Sequence, residues 1–361
     1  MKKYLVIMLI VAMVFALCAC GGGSNEPANT DDDTVYTLTL TTHDTNTAPA
    51  AVAITEWADR LREESNGRLD INVQYNGTLA GMGDAVAMTA QGGVDMCWNT
   101  VSINTNFCPL SEITNYPGVK VYNSLQGTEA MINLYNNYEC IRNEFDSMGI
   151  KLLALHCNAP SLLSSKSVFN TVEDFKGDVI RANSTAYMIL CEEFGMTQMA
   201  CSVGEMYENF SKNVMNSTIV DITLVNAMKT YEIANNVMNY NFGAPAGFVA
   251  INPDKYNELP DDLKALLDNS FEDLSFSIAK NFNDKVHELL ADPEALGINV
   301  YDPSPEIVDA IQNVVDTRIL ETWNAAAEAA GYDPAELYAE FGKVIDEAYE
   351  KYGAEYDWIQ E

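Results

Sequence analysis

Tyr36, Leu38 and Leu40 alternate with polar residues, the period of a half-buried strand. Val52, Trp57 and Leu61 then fall on one helical face that Asn66-Gly67 can terminate. Leu69, Ile71, Val73 and Tyr75 alternate again, Asn76-Gly77 supplies a turn, and a short helix from Gly83 to Gln91 precedes the strand "VDMCWN". This β-α-β-α-β order predicts a parallel sheet with ligand-binding loops at the carboxyl ends of its strands. A second alternating unit starts near Ile150 with "IKLLAL" and continues through "DVIRANS", a helix from Thr185 to Phe194 and "STIVDITLVN", and "GFVAIN" returns as a strand. Leu263, Leu267, Phe271, Leu274, Ile278, Phe282, Val286 and Leu290 then keep helical spacing from Asp261 to Leu290. That stripe predicts one helix of about 45 Å, longer than one small domain covers, so it either joins two domains or mediates dimerisation.

The amino-terminal pattern differs in kind. Lys2 and Lys3 precede an unbroken apolar run from Tyr4 to Leu17. The run is shorter than the roughly 20 residues that span a bilayer and has the length of a secretory leader. Leu17-Cys18-Ala19-Cys20 resembles a bacterial lipobox, which implies cleavage before Cys20 and lipidation of its thiol. The Gly-, Ser-, Asn- and Asp-rich stretch that follows reads as a flexible tether.

Composition narrows the function classes. The chain has 361 residues, 20 basic against 52 acidic, and loss of the leader's two lysines takes its formal charge from −32 to −34. Nucleic acid and anionic membrane surface are poor partners for such a chain. Cys97, Cys108, Cys140, Cys157, Cys191 and Cys201 form no CxxC pair, and several sit in apolar settings that suit buried free thiols. No HExxH, GxSxG or GxxxxGK motif is present, and His43, His156 and His287 are far apart. The residues therefore predict neither an enzyme nor a metal or other cofactor.

One residue stands out against this background: Arg181, in "DFKGDVIRANS", is the only arginine between Arg142 and Arg318. On a short buried strand it either answers an internal carboxylate or offers a guanidinium fork to a ligand carboxylate. The residues alone leave both readings open.

From about Thr37 to Tyr352 the chain resembles the DctP family, the solute-binding proteins of tripartite ATP-independent periplasmic (TRAP) transporters. Four ordered blocks carry the resemblance: "YNGTLAGMGDAVAMTAQGGVDM", "TVEDFKGDVIRANS", "SVGEMYENF" and "FVAINPDKYNELPDDLKALL". It implies an α/β, two-lobed periplasmic-binding-protein-like fold with a long helix spanning both lobes. The expected division is a leader over 1–19, a tether over 20–34, lobe I over 35–156 with 247–285 returning to it, lobe II over 157–246 with 286–345 returning to it, and a tail over 346–361.

By the same matching, Arg181 falls on the family's ligand-clamping arginine, and His43, Asn99, Thr100, Asn158, Val203 and Asn226 fall on cleft positions. Two departures bear on the ligand. Ser161 stands where sialic-acid-type members carry a second arginine, and "DITLVN" replaces a "DGxxxP" pattern. Both favour a single carboxylate, and Val203 with the nearby Met and Phe residues suits an apolar remainder. The resemblance implies an organic-acid receptor that partners the integral membrane subunits of a TRAP transporter. An ATP-driven importer's binding lipoprotein and a ligand-dependent sensory partner are the alternatives.

Overall fold

The computed structural model describes residues 34–356. The leader, Cys20 and nearly all of the tether lie outside the described residues. Two sheets organise the rest into two lobes. Sheet one has the strand order β2-β1-β3-β10-β4, with β1 Tyr36–Thr41, β2 Leu69–Gln74, β3 Met96–Thr100, β4 Lys151–Cys157 and β10 Ala246–Ile251. The alternation read from sequence sets its register, since Tyr36, Leu38 and Leu40 pair in parallel with Leu69, Ile71 and Val73. The predicted parallel sheet is in fact mixed, because β10 enters antiparallel between β3 and β4. A strand returning from the other lobe arrives from the opposite end, and periodicity carries no such direction.

Sheet two has the order β11-β9-β5-β8-β6-β7, with β5 Ser161–Ser165, β6 Val179–Arg181, β7 Thr197–Gln198, β8 Ser217–Asp221, β9 Asn236–Met238 and β11 Asn299–Tyr301. The chain leaves lobe I after β4 and comes back into β10, and these crossovers lie side by side. Asn158 N donates to Pro245 O at 2.9 Å, Ser161 N to Gly243 O at 2.7 Å and Phe242 N to Ser161 O at 3.1 Å. Gly243 holds φ +94°, and a Cβ there would come within 2.3 Å of the Asn115 backbone, so only glycine fits.

The long apolar stripe is also corrected. It forms two helices, Asp261–Asn269 and Phe271–Leu290, divided at Ser270, whose hydroxyl accepts a 2.8 Å bond from the Trp57 indole. The second segment has 20 residues, about 30 Å of helix. It packs on the helix Pro49–Glu64, on β4 and on the helix Ser124–Asn137 of lobe I, and on the helix Ile222–Ala227 of lobe II. Ile54, Trp57 and Leu61 meet Leu263, Leu274 and Ile278 in one buried apolar cluster. Thus the helix still bridges both lobes.

The carboxyl-terminal boundaries change as well. The helix Pro305–Val314 packs on the helix Thr185–Glu193, whereas the last helix runs from Pro334 to Tyr356 and lies on Ser124–Asn137. Asn123 Nδ2 donates to Tyr352 O at 3.2 Å, and Lys351 pairs with Glu129 at 3.0 Å. The apolar series Leu337, Phe341, Ile345 and Ala348 continues past residue 345, so no separate tail begins there.

Candidate functional site

Between the sheets lies a cleft of about 760 Å³, part of it open to solvent. Arg181 enters it from the end of β6, which is held by parallel pairing of Ile180 with Ser217 and Arg181 with Thr218. The arginine is 3% exposed. Its Nε–H donates to Cys201 O at 3.1 Å, and the Asn183 amide, oriented with its oxygen inward, accepts from Nη1 and Nη2 at 3.0 and 2.6 Å. Among the described residues no carboxylate forms an ion pair with it. Burial accordingly pulls its pKa below the ordinary arginine value, while Cys201 opposes the shift.

The facing wall is aromatic and acidic. His43, Trp98, His156 and Phe282 form a row of rings, with centroid spacings of 4.8, 6.1 and 6.1 Å. The Trp98 indole donates to His156 Nε2 at 3.0 Å, which requires a neutral His156 with its proton on Nδ1. Burial lowers the His156 pKa to about 3. Burial, then the Arg181 charge, lowers that of His43 to about 4. The 3.6 Å contact between His43 Nε2 and Asp44 is therefore not an ion pair near neutrality. Burial first, then the charge of Asp221, raises the Asp44 pKa to about 7. On Arg181's own side, at the end of β8, burial also raises the pKa of Asp221, although its Oδ1 caps the helix Ile222–Ala227 by accepting from Thr223 N and Leu224 N.

Of the residues expected from sequence, Arg181, His43, Thr100, Asn158 and Val203 line this cleft. Asn99 does not. Its side chain is fully buried beneath the wall, where Nδ2 donates to Met82 O and Oδ1 accepts from Thr100 N and Asn104 Nδ2. Asn226 also stays out, because Thr223, Leu224 and Ala227 occupy the cleft-facing side of its short helix. Sequence reasoning missed Asp44, Trp98, Asn183, Tyr187 and Asp221, all of which line the cleft. Position beside His43 and Arg181 was the available signal for Asp44 and Asn183. Ser161 lines the cleft too, a small hydroxyl with no charge.

No group of three or more His, Cys, Asp or Glu side chains among the described residues is arranged to hold a metal ion. The six cysteines described are free thiols, five of them buried. Burial pushes Cys97, Cys157 and Cys191 up to about 12, which keeps them protonated and unreactive.

Residues 41–325 match the family described as bacterial extracellular solute-binding protein, family 7, DctP. Similar solved structures share the fold at low identity. A TRAP periplasmic solute-binding protein from Bordetella bronchiseptica with bound (R)- and (S)-mandelate is 18% identical, covering 86% of this chain and 99% of its own, with a TM-score of 0.77. One from Rhodoferax ferrireducens in complex with benzoate is 17% identical, covering 88% and 99%, with a TM-score of 0.76. An extracytoplasmic solute receptor from Bordetella pertussis that binds pyroglutamic acid is 19% identical, covering 88% and 100%, with a TM-score of 0.74.

Proposed function

The chain belongs to the DctP family of bacterial extracellular solute-binding proteins, and from that premise we propose that it is the receptor of a TRAP transporter for a small organic acid. The observation that carries the reading is Arg181: a buried guanidinium in the cleft, given only neutral oxygens by a chain with 52 acidic residues. A ligand carboxylate supplies the missing anion through two parallel hydrogen bonds. Lobe closure removes water from that contact and strengthens it, and opening at the membrane subunits releases the acid. Trp98, Val203 and Phe282 offer apolar and aromatic surface to the remainder of the ligand. The role is capture and delivery rather than catalysis. Solved relatives that hold mandelate, benzoate and pyroglutamate support a carboxylate as the common element.

The reading includes an anchor: cleavage before Cys20 and lipidation of its thiol would hold the receptor at the membrane's outer face. Metabolic labelling with palmitate tests it. Label persisting in a Cys20→Ser variant removes the anchor from the proposal.

A thermal-shift screen tests the receptor reading, with each organic acid matched by its uncharged primary amide. Acids that raise Tm while their amides do not are the expected result. Amides that stabilise as well as the acids would mean that the arginine does not select an anion.

A further inference from the structure

We propose that the ligand of this cleft carries a protonated amine as well as a carboxylate, with Asp44 and Asp221 receiving the amine. The inference rests on the receptor reading and deepens it. The observation behind it is an imbalance that Arg181 alone does not resolve. Arg181 is the one charged cation among the cleft-lining residues described, because His43 is neutral near pH 7, yet two carboxylates line the same cleft.

Asp44 contributes from lobe I with a side chain 12% exposed. Among the described residues no donor hydrogen-bonds its carboxylate, and its contact with a basic side chain is with the neutral His43 imidazole at 3.6 Å. Asp221 contributes from lobe II. One of its oxygens has a structural role as a helix cap, which leaves the other free. The two are close enough for the charge of Asp221 to act on Asp44. A third acceptor is independent of both acids: Asn158, 8% exposed and lining the cleft, has its Oδ1 buried with no hydrogen-bond partner. A buried acceptor left unpaired is costly, so its partner is expected to come from the ligand.

An ammonium group has three N–H donors and one positive charge. The cleft offers three acceptors without a complete set of donors, two of them carboxylates. A simple monoanion would add negative charge beside two acids whose ionisation the cleft already opposes, and would leave Asn158 Oδ1 unmet. An amine-bearing acid places its carboxylate on Arg181 and its ammonium against Asp44, Asp221 and Asn158. One end of a small molecule then meets Arg181 of lobe II, and the other meets acceptors contributed by both lobes.

Calorimetry on the purified full chain tests this with the standard amino acids and their deaminated carboxylates as matched pairs. The expected result is at least one pair in which the amine-bearing member binds about thirtyfold tighter. Asp44→Asn should collapse that ratio by weakening the amine-bearing member. Proton linkage gives a second readout. At about pH 6 an ammonium ligand stabilises ionised Asp44 and binding releases protons, whereas a plain carboxylate repels that charge and binding takes protons up. His43, Arg181 and Asp221 face the same group, so the Asp44→Asn variant must abolish the release for it to be assigned to Asp44. Deaminated acids that bind as tightly as their amine-bearing partners, or a ratio that survives Asp44→Asn, overturn the inference and leave the receptor reading standing. If neither series binds, the inference is overturned, and the acid-against-amide screen decides the receptor reading.

Discussion

Arg181 in the cleft and Arg318 on the outer surface are treated differently by the same acidic chain. Arg318 bonds Glu193 through Nη1 at 2.8 Å and Glu192 through Nη2 at 3.1 Å, in the open. Those carboxylates raise its pKa. Arg181 is buried and meets a backbone carbonyl and an amide, which satisfy N–H groups without neutralising the charge. The exposed arginine is completed by its own chain, whereas the buried one has no carboxylate partner among the described residues. On the proposed function, burial without an internal anion is what marks a binding arginine off from a structural one.

The largest test of that contrast is Arg181→Ala. It should weaken binding of the best acid found in the screen by roughly 30-fold to several thousandfold, from about 2 to 5 kcal/mol for stranding one member of a buried charge pair. Because no partner carboxylate is stranded in the free protein, Tm without ligand should hold or rise. Calorimetry that gives equal affinities for the two proteins would break the comparison.

Asn183→Ala comes next. It removes the amide that orients the guanidinium while leaving the charge in place, so a loss of about tenfold is expected, with the acid-over-amide preference retained. Loss of that preference would mean that Asn183 contacts the ligand itself.

Asp44→Asn addresses the other wall through stability. The folded-state pKa of Asp44, about 7, is above its ordinary value of 3.8, so the native state binds more protons between those values. Its contribution is thus present at low pH and is lost as pH rises through about 7. The variant's Tm should match the wild type at about pH 4 and exceed it by a few degrees at about pH 8. A gain at low pH instead would reverse the sign of the argument.

Arg318→Ala sharpens the contrast by its smallness. Exposed ion pairs of this kind contribute little, so neither Tm nor ligand affinity should change measurably in thermal-shift and calorimetric assays. A loss of binding would show that the surface arginine also communicates with the cleft.

Much of the architecture was legible because burial leaves a period. Tyr36, Leu38 and Leu40 announced β1, and the stripe from Leu263 to Leu290 announced the helical spine. The break at Ser270 was not legible, since the apolar stripe continues across it and the partner of its hydroxyl, Trp57, is 213 positions away. The direction of β10 depends on where the chain had been, which no local pattern encodes. At the site, Arg181 was conspicuous as a rare cation in an apolar strand. Asp44 and Asp221 were inconspicuous as two acids among 52, although their burial makes them unusual. Asn226 was misplaced by about one step around a helix of six residues, too short for periodicity to set its phase.

The paired crossovers beside Gly243 also bear on mechanics. Asn158, Ser161, Phe242, Gly243 and Pro245 tie the two connecting strands together at three backbone bonds, while the helix Phe271–Leu290 crosses the same boundary elsewhere. Two tethers laced into one ribbon bend readily across their width and resist being sheared or slid past each other. On the proposed closure, such a ribbon would confine the lobes to essentially one angular coordinate, and a solute's length would set the angle at which they stop.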